Sequence, residues 1–168
     1  MGLPNNLPPV SSLVSHRSTM LLRDTVVQLD DDKIVARLTV RADGLFDAYG
    51  KVSAWVGLEY MAQAMSALNG HSLLQQGKAV RLGFLAGTRD FVAFVSSFNC
   101  GDVLHVRAVR DLQTDEGLGS FSSQVESWQD NTRTVLCQAR VNAYAPEDPG
   151  YYYDQARLAT GLSSVNEA

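Results

Sequence analysis

The stretch KVSAWVGLEYMAQAMSALNG, residues 51–70, carries a single acidic residue, Glu59, among apolar, small and neutral neighbours. A carboxylate buried without a partner is costly, so its pKa rises and it holds its proton near neutral pH. That is the property a general acid or base needs. Gln63 falls one helical turn later on the same face, where its amide could hydrogen-bond to Glu59 and orient it. The same pattern also fits a structural carboxylate bonded to backbone amides or to an arginine, and the residues alone leave both readings open. The remaining acid–base candidates are scattered. His16, His71 and His105 show no metal-ligand spacing. His105 lies between Leu104 and Val106 in a strand pattern, His71 follows the expected helix stop at the surface, and Asp43 and Asp47 read as turn formers that could also act as bases. Cys100 and Cys137 have no CxxC spacing and are too few for a disulfide framework, so they read as buried free thiols. Neither a metal nor a cofactor is expected.

Glu59 must be positioned by the elements around it. Val52–Leu68 has no proline and is rich in Ala, Leu, Met and Gln, which predicts a helix with Ser53 as N-cap and Asn69-Gly70 as its stop. Its apolar residues spread over most faces, so it should be buried on most sides. HSLLQQG predicts a second short helix ending at Gly77. Upstream, DTVVQLDDDKIVARLTV reads as a hairpin turning at Asp30–Asp32, and RADGLFDAYG as a loop. LVSHRSTMLL, 13–22, reads as a short helix or turn feeding a strand. From Arg81 to Tyr144 the pattern is strand-like, with turns at NCGD, TDEG and QDN. The order is hairpin, long helix, then antiparallel strands, which is an α+β fold with a helix lying against a curved sheet. The expected organisation is an extended lead-in over 1–12, one domain over 13–146, and a tail over 147–168 that docks on a partner.

The totals exclude several classes. At 168 residues the chain has the length of one domain. A formal net charge of -4 argues against nucleic acid as a partner, because phosphate binding needs a basic face. Glu59 interrupts the best candidate membrane span, and MGLPNNLPPV lacks the features of a secretory signal, which together predict a cytoplasmic protein. GFLAG precedes no helix and is not a phosphate loop.

Three stretches together resemble the β-hydroxyacyl-acyl carrier protein dehydratases of the hotdog fold. GLEYMAQAMSALNG is similar to the central helix with its EAMAQA core, LVSHRSTMLLRDTVV to LPHRYPFLLVDRV, and GFLAGTRDFVAFVSSFNCGDVLHV to FAGIDEARFKRPVVPGDQL. The branch with WVGIELMAQ, found in aryl polyene pigment synthesis, has the most similar pattern. The resemblance implies an antiparallel sheet wrapped around a long helix and a double hotdog dimer. It also implies elimination of water from a 3-hydroxyacyl thioester to give a trans-2-enoyl thioester. A histidine takes the α-proton, the helix carboxylate protonates the leaving hydroxyl, and helix N-terminal amides polarise the carbonyl. Glu59 then becomes the catalytic carboxylate. The family's GHFP histidine is missing, however. DGLFDAYGKVSAWVG aligns Leu45 with it and Ser53-Ala54 with the family's PG. His16, from the LPHR-like stretch, becomes the candidate base, and substrate contacts are expected from Trp55, Val56, Gly57, Gln63, Phe84 and Leu85.

The implied partners are an acyl carrier protein bearing a phosphopantetheine-linked substrate and a second hotdog subunit, identical or different. Arg81, Arg89, Arg107 and Arg110 could dock the acidic carrier. Two other readings stand beside the lyase: a hotdog acyl thioesterase, and a non-catalytic subunit that shapes the tunnel of an active paralogue.

Overall fold

The computed structural model of the chain describes residues 7–14, 25–42, 46–148 and 150. Helix α1, Val10–Leu13, comes first, followed by the hairpin β1, Thr25–Leu29, and β2, Lys33–Thr39. Two short strands, β3, Asp47–Ala48, and β4, Lys51–Ser53, lead through a 3₁₀ turn, Ala54–Val56, into the long helix α2, Gly57–Gln75. Strands β5, Phe84–Ala93, β6, Ser97–Asn99, β7, Val103–Gln113, β8, Leu118–Gln129, and β9, Thr132–Tyr144, complete the described fold. The large sheet runs β1-β2-β7-β8-β9-β5 with every neighbouring pair antiparallel, and β3-β4-β6 form a second, small sheet.

The period-two alternation places one apolar row after another under α2. Ala36, Val106, Val125 and Cys137 face each other across four strands, and Ile34, Ala108, Ser123 and Ala139 form the next row. All eight are buried. The helix packs chiefly on β2, β7, β8 and β9, which leaves the edge strand β5 beyond its cover. The expected hairpin and the turns at NCGD, TDEG and QDN are all present. QDN turns tightly because Asp130 and Asn131 both take positive φ, 47° and 65°, the geometry of a two-residue hairpin turn that these side chains tolerate.

Three expectations change. RADGLFDAYG is not all loop, since Asp47–Ala48 pairs with Lys51–Val52 as β3 against β4. Ser53 makes no side-chain cap, because the 3₁₀ turn after it displaces the helix start to Gly57. Asn69-Gly70 does not stop the helix either: α2 runs on through His71 to Gln75, merging the two predicted helices, and the chain turns only at Gly77, φ 69°. The glycine at position 70 is spent on packing instead. It is buried, and a Cβ there would land on the carbonyl oxygen of Leu13 in α1.

Candidate active site

Glu59 sits in the first turn of α2 and, contrary to the expectation of burial, is exposed. Helical spacing explains this. Tyr60, Met61, Gln63 and Ala64 face the sheet and small-sheet side and are buried, while Glu59, Ala62, Ser66 and Asn69 form the stripe that faces the uncovered edge. Gln63 does hold Glu59, its Nε2 donating to Oε1 at 3.0 Å. That bond leaves Oε2 as the oxygen able to carry a proton.

The start of α2 is seated by close packing. A Cβ on Gly57 would come within 2.6 Å of Cys137 Sγ and 3.4 Å of the Phe98 ring. Burial pushes the Cys137 thiol up to about 11, so it stays protonated and unreactive beside the helix start. Burial, reinforced by Cys100, likewise pushes the Tyr60 hydroxyl up to about 12. Neither of these two neighbours of Glu59 gives up its proton near neutral pH.

The predicted contacts fall into two groups. Trp55, Val56, Gly57, Glu59 and Gln63 come together at the helix start, where the 68 % exposed Trp55 stacks on Phe91 of β5 with centroids 4.6 Å apart. Phe84 and Leu85 lie instead at the other end of the helix, where they line a cavity of about 60 Å³ with Ala62, Met65, Ser66 and Asn69. Three helix residues of that cavity were missed by sequence reasoning. The signal for Ala62, Ser66 and Asn69 was their placement three, seven and ten residues after Glu59.

His16, Leu45 and Asp43 lie outside the described residues. His71 is a half-buried residue inside α2, not a surface residue beyond it. His105 points to the sheet face opposite α2, next to Arg37 and Glu126 across the strands and edge-on to Trp128. Its Nδ1 is buried with no hydrogen-bond partner among the described residues. Burial, reinforced by the Arg37 guanidinium, lowers the His105 pKa, and Glu126 only partly offsets this. The unfolded chain therefore binds the proton more readily. His105 contributes stability that is present above the unfolded value and lost as pH falls through the folded one. Urea midpoints should fall on going from about pH 7 to about pH 5, and this component of the slope should vanish in His105→Gln.

The four arginines expected to share a patch do not. Arg81 pairs with Glu147 at 3.5 Å. Arg110 is built into the fold: it donates to the Asp31 carbonyl and to Ser72 Oγ and pairs with Asp32. Arg89 lies opposite Arg140, and Arg107 and Arg140 line a polar hollow of about 650 Å³ on the outer face of the sheet.

An antiparallel sheet with one long helix packed along it defines a hotdog protein. Residues 8–154 match the family model described as ApeP dehydratase, and the chain belongs to this ApeP-like family. It is similar to a chain of the dehydratase heterocomplex ApeI:P from Xenorhabdus doucetiae, with 26% identity and a TM-score of 0.76 over 89% of this chain and 99% of that one. AziG of S. sahachiroi shares the fold at 16% identity, with a TM-score of 0.54 over 73% of this chain and 90% of that one. A hypothetical thioesterase with coenzyme A from Streptococcus pneumoniae TIGR4 does so at 14% identity, with a TM-score of 0.52 over 72% of this chain and 84% of that one. No curated protein matches in sequence. No helix among the described residues is long and apolar enough to cross a membrane.

Proposed function

We propose that this chain dehydrates a 3-hydroxyacyl thioester, carried on an acyl carrier protein, to the trans-2-enoyl thioester during aryl polyene or related chain elongation in the cytoplasm. The observation that carries the reading is Glu59, held by Gln63 on an open stripe in the first turn of α2. The base takes the C2 proton, the C2–C3 double bond forms, and the C3 hydroxyl leaves as water with a proton from Glu59 Oε2. Amides at the positive end of the helical segment stabilise the negative charge that develops on the thioester oxygen; the Gly57 amide is not among them, because it donates to the Ala54 carbonyl in the 3₁₀ turn. His16 is the base within this chain.

The site is completed by a second hotdog subunit. Strand β5 is a sheet edge with Leu85 and Val92 exposed and Phe94 exposed just beyond its end, and Glu59 opens toward it. An exposed apolar edge of this length invites pairing. Covering it would close the cleft over the Glu59 stripe. Arg89, Arg107 and Arg140 form the face for an acidic carrier.

The reading as a non-catalytic partner is favoured by one specific observation. Among the described residues no histidine stands near Glu59: His71 is twelve residues on, about 18 Å along the helix, and His105 is on the outer sheet face. A heteromeric assembly is what the ApeI:P relative is named for. The test is dehydration of a 3-hydroxyacyl carrier-protein thioester by the chain alone and with a second dehydratase-like hotdog chain, read as enoyl product by mass. Product from the chain alone, abolished by His16→Ala, supports the self-sufficient enzyme. Product only with the partner, unaffected by Glu59→Gln in this chain, makes it the shaping subunit. Free acid in place of enoyl product makes it a thioesterase.

A further inference from the structure

The stripe that starts at Glu59 ends at Asn69, ten residues or about 15 Å along the helix. Ala62, Ser66 and Asn69 of that stripe form one wall of the 60 Å³ cavity. The opposite wall is a cross-strand row, Gln113, Gly119, Ala143 and Leu85, on four successive strands. Phe121 also lines the cavity, and a Cβ on Gly119 would meet its ring at 2.8 Å, so the glycine leaves the ring the room to lie there. The walls are apolar or small until the far end, where Gln113 Nε2 donates to Asn69 Oδ1 at 3.3 Å. This bond uses one donor and one acceptor. The Asn69 amide nitrogen and the Gln113 carbonyl oxygen keep hydrogen-bonding capacity at the cavity's polar end.

We propose that Asn69 and Gln113 are specificity-determining residues that read the distal end of the acyl chain, selecting chains that end in a hydrogen-bonding group such as a hydroxyl. This rests on the dehydratase reading, with the thioester end reacting at Glu59. An extended chain laid along the stripe from Glu59 reaches the amide pair with its far end. A terminal hydroxyl can accept from the Asn69 amide and donate to the Gln113 carbonyl. A terminal methyl would displace water from both groups and replace neither bond, and leaving polar groups unpaired is what makes such sites selective.

The test compares two 3-hydroxyacyl thioesters of equal length, one ending in a methyl group and one in a hydroxyl. The full chain is used, with its second hotdog subunit where activity needs one. The hydroxyl-ended substrate should be preferred by about tenfold or more in kcat/KM, and Asn69→Leu combined with Gln113→Leu should erase that preference. Saturated thioesters without the 3-hydroxyl, which cannot be dehydrated, should show the same order in Kd. Gln113→Leu alone, at an exposed strand position, gives a second variant should the double one fail to fold. Equal Kd for both chain ends in wild type, or a preference that survives the leucine variants, overturns the assignment. Selective binding without dehydration of any substrate faults the lyase reading and leaves the selectivity standing.

Discussion

Glu59→Gln is expected to lower kcat/KM for dehydration by about 10²–10⁴-fold, the contribution of a positioned proton donor, while leaving the fold intact. The change swaps a carboxyl for an amide of the same shape. It cannot release a proton to the departing hydroxyl, yet its carbonyl can still accept the bond that Gln63 Nε2 makes to Oε1. Because Glu59 is exposed and forms no ion pair among the described residues, urea stability should change by no more than about 0.5 kcal/mol. Gln63→Leu should act through the same carboxyl: it frees Glu59 to rotate and lowers kcat more than it raises KM. In Glu59→Gln it should have little left to remove, so the two losses should not add. Unchanged dehydration in Glu59→Gln would take proton donation away from this chain and give the reaction to its partner subunit.

The sheet was legible because its signals are local. Two β-branched runs around Asp30–Asp32 specify β1 and β2, and TDEG and QDN mark the ends of β7 and β8. The surroundings of Glu59 were not legible for the opposite reason. Apolar flanks show that α2 is buried on most sides. They do not show that the sheet runs one strand further than the helix covers, which is what exposes Glu59 and leaves Ala62, Ser66 and Asn69 half-buried. The same long-range geometry separates Phe84 and Leu85 from the Trp55 end, although all were expected to touch one substrate. The antiparallel register sets Phe84 against Tyr144 and Ala93 against Cys137, so β5 spans the helix from one end to the other. A long chain along the stripe would meet both groups, Trp55 near its thioester and Leu85 near its tip.

Gly70→Ala should be the most destabilising single-methyl change in α2, although alanine is the better helix former by about 1 kcal/mol. The added Cβ meets the Leu13 carbonyl oxygen, with the carbonyl carbon 2.9 Å away, and both belong to backbone that no rotamer change can move aside. Helix α1 must lift, and it carries Val10 and Leu13 with the adjacent Val14, all buried. Overpacking together with partial exposure of these side chains should cost about 2–4 kcal/mol. Gly77→Ala is the control: nothing lies within 4 Å of its Cβ, so only the positive φ of 69° opposes it, at about 1 kcal/mol. A thermal melt in which Gly70→Ala matches or exceeds wild type would mean that α1 does not rest on α2. Leu13 is three residues ahead of His16 in the chain, which gives the variant a second use. If His16 is the base, disturbing the residues that precede it in the chain should reduce dehydration below what the folded fraction predicts. If the partner supplies the base, activity per folded molecule should hold while stability falls.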